Sequence, residues 1–113
     1  MQYSLKFTII EPTDALKAAV DSKMQHIEPR VQRFGDAVSA EVEIGKTTQH
    51  HHKGELYRAE IRLQIPGNNM YAEALHEDLY AAIGDAADNI LRQIGDLKES
   101  IEDQKHLPRP DKE

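Results

Sequence analysis

An α+β fold of order β-α-β-β-β-α, with two helices packed on one face of a four-stranded mixed sheet, is what this sequence predicts. Three observations lead there. Four segments alternate apolar and polar residues with the period of a half-buried strand. Two segments repeat apolar residues at gaps of three and four, the spacing of one helix face. Every strand has a single apolar face, so one covering layer is enough and both helices go to the same side. A right-handed crossover through the first helix sets the first two strands parallel, and strands two to four then form an antiparallel meander.

In the first strand, Leu5, Phe7 and Ile9 alternate with Ser4, Lys6 and Thr8. Glu11-Pro12-Thr13-Asp14 breaks it and places Thr13 or Asp14 to cap a helix. Leu16, Val20, Met24 and Ile27 form that helix's apolar stripe, widened by Ala15 and Ala19, and Pro29 is expected to end or kink it near Glu28. Val31 and Phe34 pack from a short turn that stops at Gly35. Val38, Ala40, Val42 and Ile44 mark the second strand, with Ser39, Glu41 and Glu43 on its other face. Tyr57, Ala59, Ile61, Leu63 and Ile65 mark the third, opposed by Arg58, Glu60, Arg62 and Gln64. Pro66-Gly67-Asn68-Asn69 is a turn, because Gly and Asn tolerate positive φ and Pro cannot extend a ladder. Met70 to Leu75 follows as a short fourth strand. The long helix starts behind His76-Glu77-Asp78 and runs to about Asp103, with its stripe on Leu79, Ile83, Ala87, Ile90, Ile94, Leu97 and Ile101. Asp78 is placed to cap its first turn, and Glu77 and Asp78 set negative charge at the positive end of its dipole.

The 113 residues suffice for one core and not for two. A 39% hydrophobic and 30% charged composition is ordinary for a folded domain. With no cysteine, disulfides, thiolate metal sites and cysteine nucleophiles are excluded. No stretch approaches the roughly 18 to 20 apolar residues of a membrane span. The start, Met1-Gln2-Tyr3-Ser4-Leu5-Lys6-Phe7, lacks the basic and apolar regions of a signal peptide. A cytoplasmic protein is the simplest expectation. Fourteen Lys and Arg against twenty Asp and Glu give a net charge of −6, the wrong sign for gripping nucleic acid by bulk electrostatics.

His76-Glu77-Asp78-Leu79-Tyr80-Ala81-Ala82-Ile83 and the later Arg92-Gln93-Ile94 lie in register along one helix. Together they resemble the second helix of the short ribosome hibernation factors. That family is also known as ribosome-associated translation inhibitors, ribosomal subunit interface proteins or sigma-54 modulation proteins. The resemblance spans about residues 1 to 104 and implies the same β-α-β-β-β-α architecture, which is similar to double-stranded-RNA-binding domains. The expected domain is therefore 1–104, and the tail, 105–113, is expected to be disordered because it is short, proline-broken and charged. Long members carry a second, dimerising domain, so the expectation here is a short form.

The resemblance further implies a protein that docks on the small ribosomal subunit, binding rRNA in the channel of tRNA and messenger RNA, and so inhibits translation under stress or in stationary phase. Carried over residue by residue, Arg92 matches the arginine of the second-helix motif. Lys98 falls near a lysine-rich stretch, Lys23 matches a basic position on the first helix, and Lys17 is a weaker match there. The implied partner is the small subunit, without DNA, membrane or cofactor, and with a monomer when free. Asn89 and Asp96 depart from the pattern, standing where relatives tend to have lysine, and His26 replaces another basic residue. A protein-interaction module of the same fold that has lost RNA binding is the alternative.

Between Gly84 and Lys105, Asp85, Asp88, Asp96, Glu99, Glu102 and Asp103 outnumber Arg92, Lys98 and Lys105. Asp88 and Asp96, four residues either side of Arg92, are placed to pair with it. Tyr80 is expected to pack against the sheet edge with its hydroxyl in solvent. Arg58 and Arg62 are expected to pair with Glu41 and Glu43 across the strands. Gln49-His50-His51-His52-Lys53 suggests a metal, yet consecutive residues on an extended chain alternate in direction and do not converge on one ion. A solvated hairpin loop without metal is the expectation. No serine sits in a nucleophile motif and no Gly-rich loop precedes a helix, so no catalytic residue is assigned.

Overall fold

The computed structural model describes residues 1–47 and 56–106, the side chains of 104–106 excepted. The elements follow the expected order: β1 (Gln2–Thr8), α1 (Asp14–Val31), a 3-10 turn (Gln32–Phe34), β2 (Ser39–Lys46), β3 (Tyr57–Ile65), β4 (Asn68–His76) and α2 (Leu79–His106). The sheet order is β1-β2-β3-β4, parallel between β1 and β2 and antiparallel thereafter. The stretch that contains His50 to His52, and residues from 107 on, lie outside the described residues.

Both helices cover the face that carries Val42, Ile44, Ala59, Ile61, Leu63, Met70 and Ala72. There they bury Val20, Met24 and Ile27 from α1 and Ile83, Ala87, Ile90 and Ile94 from α2. Thr13 rather than Asp14 caps α1, its hydroxyl accepting from the Leu16 N–H at 3.1 Å. At α2, the Asp78 carboxylate accepts from the Tyr80 N–H at 2.9 Å and satisfies one free donor of the first turn.

Several boundaries differ from the sequence expectation, each for an identifiable reason. β1 stops at Thr8, paired with Gly45, and Ile9 takes φ 66 and turns out to 61% exposure instead of continuing the buried row. α1 does not end near Glu28. Pro29 lies in its last turn, where its missing N–H costs only the bond to the Gln25 carbonyl, and the buried Val31 holds the helix end in place. β4 begins at Asn68 rather than Met70, because Pro66-Gly67 alone make the turn and Asn68 already pairs with Ile65. Gly67 takes the φ of 81 that the second central position of a type II turn requires. α2 continues past Asp103 to His106.

Candidate functional site

α1 and α2 pack side by side, and the groove between them collects cations. Lys23 lies across α2 at Gly84, where a β-carbon would meet its Cε at 3.9 Å and its Nζ at 4.0 Å. The lysine stem is half-buried there while its ammonium group reaches the surface. His26 and Arg30 follow Lys23 on α1 at spacings of three and seven, hence on one side of the helix. With Lys23 they line a groove whose opposite wall is Ala87, Asp88 and Leu91 of α2. Lys98, seven residues beyond Leu91 and half-buried, lies on the same side of α2 as Leu91.

Of the residues expected to act together, only Lys23 lines this groove. Lys17, six residues before Lys23, projects about 120° away from it around α1. Arg92 lies about 120° from Lys98 on α2 by the same geometry and points away from the core. Asp85, Asp88, Asp96 and Glu99, at spacings of seven and four on either side of Arg92, are all exposed, so Arg92 is the lone cation on an acidic ridge. Its expected pairing with Asp88 or Asp96 does not form: Arg92 makes no ion pair among the described residues. Asn89 accepts from the Gln93 amide at 2.8 Å.

Arg30 is the residue that sequence reasoning missed. Expecting Pro29 to stop the helix placed Arg30 outside it. The signal that corrects this is Val31, which continues the stripe of Met24 and Ile27 and is 1% exposed. Tyr80 was also misplaced. Leu79 takes the core-facing position at 8% exposure, so the next residue, about 100° round the helix, stands 49% exposed.

The other face of the sheet carries a registered charge network. Glu43, Glu60 and Glu73 lie opposite one another on β2, β3 and β4. Arg58 bridges the last two, pairing with Glu60 along its own strand and with Glu73 at 2.6 Å across to β4. Arg62 stacks over the Tyr71 ring at 5.5 Å. The expected pairs with Glu41 and Glu43 are absent because β4 offers nearer partners, and Glu43 instead accepts from the Thr8 hydroxyl at 2.7 Å. Tyr71 donates to Glu60 at 2.5 Å, and that hydrogen bond, with burial second, holds its phenol above the usual tyrosine range. Among the described residues no group of three or more His, Asp or Glu is placed to hold a metal ion. Among the described residues no helix is long and apolar enough to cross a membrane.

The fold is shared with known proteins. Residues 3–102 match the family model described as sigma 54 modulation protein / S30EA ribosomal protein. The chain belongs to this family. The ribosome hibernation promoting factor of Pseudomonas putida is 32% identical over 99 residues, 88% of each chain. The ribosome hibernation promotion factor of Deinococcus radiodurans is 28% identical over 110 residues, and there the chain spans 55% of the relative's length. Among solved structures, the N-terminal domain of Thermus thermophilus Protein Y is similar with a TM-score of 0.61 and 31% identity, over 80% of this chain and 90% of that one. As a sigma 54 modulation / S30EA family domain, the chain has its two-helix layer on one side of the sheet and its charged network on the other.

Proposed function

We propose that the chain is a ribosome-associated hibernation factor of the cytoplasm that docks, as a monomer, on rRNA of the small subunit in the tRNA and messenger RNA channel. It inhibits translation there by occupying space, with no bond made or broken and no cofactor. The observation that carries this reading is the pair of cations Lys23 and Arg30, with His26 between them, along the α1–α2 groove, in a chain whose family and relatives are named for the ribosome. Long side chains projecting from one helix edge suit successive phosphates, and phosphate contacts fix position without reading sequence. Lys98 adds a cation from α2, Arg92 contributes from the ridge beside it, and Lys17 lies at the periphery.

A specific observation favours a second reading, a protein-interaction module of the same fold. The exposed ridge of Asp85, Asp88, Asp96 and Glu99 repels a polyanion and attracts a basic protein. Co-sedimentation of purified protein with small subunits over a salt series separates the two. With about three phosphate contacts, affinity is expected to fall by tens of fold between about 50 and 200 mM salt. Lys23→Glu, Arg30→Glu and Arg92→Glu should each weaken binding without unfolding the domain, and Asp96→Lys should strengthen it. No co-sedimentation of well-folded wild type even at low salt rejects rRNA docking and leaves the interaction module.

A further inference from the structure

We propose that the outer face of the sheet is a docking surface for a cationic peptide segment of a protein partner. The segment would place an arginine between Glu43 and Glu60 and an aliphatic side chain against Ile9 and Leu75. The helices lie on the opposite face, so this inference does not rest on ribosome docking.

The face carries a concavity of about 300 Å³, with the three registered glutamates, Arg58, Ile9 and Leu75 among its lining. At Gly45 its floor is formed by backbone alone, because a β-carbon there would stand 2.2 Å from the Thr8 carbonyl oxygen. Adjacent strands lie about 4.8 Å apart, so Glu43, Glu60 and Glu73 form a row of like charges directly opposite one another, an arrangement that destabilises a sheet unless cations intervene. Arg58 intervenes between Glu60 and Glu73. Among the described residues no ion pair joins a cation to Glu43. The Glu60 side chain is only 9% exposed, and its Oε1 takes both Arg58 and Tyr71, while among the described residues its Oε2 accepts no hydrogen bond. Lys46, on the rim, has a partner of its own. Lys6, across from Glu43 on β1, forms no ion pair with it among the described residues.

A guanidinium meets this arrangement best, because its planar fork of donors can serve two carboxylates at once. The walls say why the cation belongs to a peptide. Ile9 and Leu75 are 61% and 48% exposed at the rim, and a free ion has no use for them. Ile9 also holds a left-handed φ of 66, which is rare for a β-branched residue, and that conformation turns the apolar side chain outward. A phosphate-bearing ligand is disfavoured by the carboxylate row.

The test uses the full chain and a fluorescein-labelled short peptide amide of alternating arginine and leucine. Anisotropy gives its affinity and amide chemical shifts its location. Saturable binding is expected, with shifts at Thr8, Glu43, Glu60 and Leu75. Replacing each arginine by neutral citrulline should weaken it about tenfold or more, as loss of a charge-assisted hydrogen bond does. Glu43→Gln and Leu75→Ser, both on the surface, should each weaken binding several-fold in a folded protein. Ile9→Gly should raise the melting temperature while weakening the peptide, a pair of opposite signs that a purely structural role does not produce. Equal binding of the citrulline peptide, shifts confined to the helices, or no binding at low salt would overturn the proposal.

Discussion

Truncating Ile90 is the sharpest test of how the long helix holds the domain together. Ile90 is 0% exposed, midway along the α2 stripe between Ile83 and Ile94, over a sheet face already filled by Ile61 and Leu63. Ile90→Ala removes the equivalent of three methylenes, roughly 2.4 kcal/mol of transfer free energy at about 0.8 kcal/mol each. The cavity left in a close-packed layer brings the cost to about 3 kcal/mol, inside the usual range of about 2–5. Unfolding entropy of roughly 2.1 cal/mol/K per residue, over 113 residues, then gives a fall in Tm of about 13 °C. Asp96→Ala on the exposed ridge should stay within about 0.5 kcal/mol of wild type. Urea unfolding followed by circular dichroism measures both, with an unchanged slope confirming that the same surface is exposed. Equal midpoints for the two variants would mean that the buried face of α2 is misassigned.

Gly45→Ala should cost about 1–3 kcal/mol by urea unfolding, because the new β-carbon meets a backbone oxygen that moves only if the end of β1 moves with it. Stability should also fall as pH rises above 10. Tyr71 is held protonated in the folded state by Glu60, so the unfolded chain ionises first, and the contribution of this contact is present below that pH and lost as pH rises through the folded pKa. Tyr71→Phe should flatten that alkaline limb, and an identical limb in the variant would refute the assignment. Finally, the histidines at 50 to 52 should hold no structural metal. Elemental analysis of untagged protein should find no stoichiometric transition metal and a chelator should leave Tm unchanged, whereas a drop of several degrees would reverse that reading.

What was legible in the sequence was periodicity, and what was not was the point at which a period stops. Tyr57 to Ile65 alternates without interruption, and the strand has those bounds. Ile9 continues the alternation of Leu5 and Phe7 in sequence, but pairing ends with Thr8, and alternation carries no record of where a partner strand runs out. Pro29 misled for the complementary reason: a local breaker was given more weight than Val31, whose burial depends on the sheet. The candidate site suffered most from this, since Arg30 joins Lys23 only if α1 reaches Val31. The ion pairs were illegible for another reason. Arg58 and Arg62 each have glutamates on two neighbouring strands, and a sequence does not say which rotamer reaches which.

The net charge of −6 opposes a polyanionic partner in bulk, yet the placement of charge changes what that number means. Contacts between Lys23 or Arg30 and phosphates act at a few ångström, as does repulsion from Asp88 on the groove's own wall, whereas repulsion from the rest of the ridge around Arg92 acts from farther off and is screened beyond about 10 Å at 0.1 M salt. Raising salt therefore weakens the contacts and relieves the repulsion together. The apparent salt slope of rRNA docking should be shallower than the number of contacting cations implies. Asp96→Lys tests this directly, since it removes repulsion and adds a cation beside Arg92. It should raise affinity most at low salt and steepen the slope. A parallel shift at all salt concentrations would mean that the ridge lies too far from RNA to matter, and that the groove cations carry docking alone.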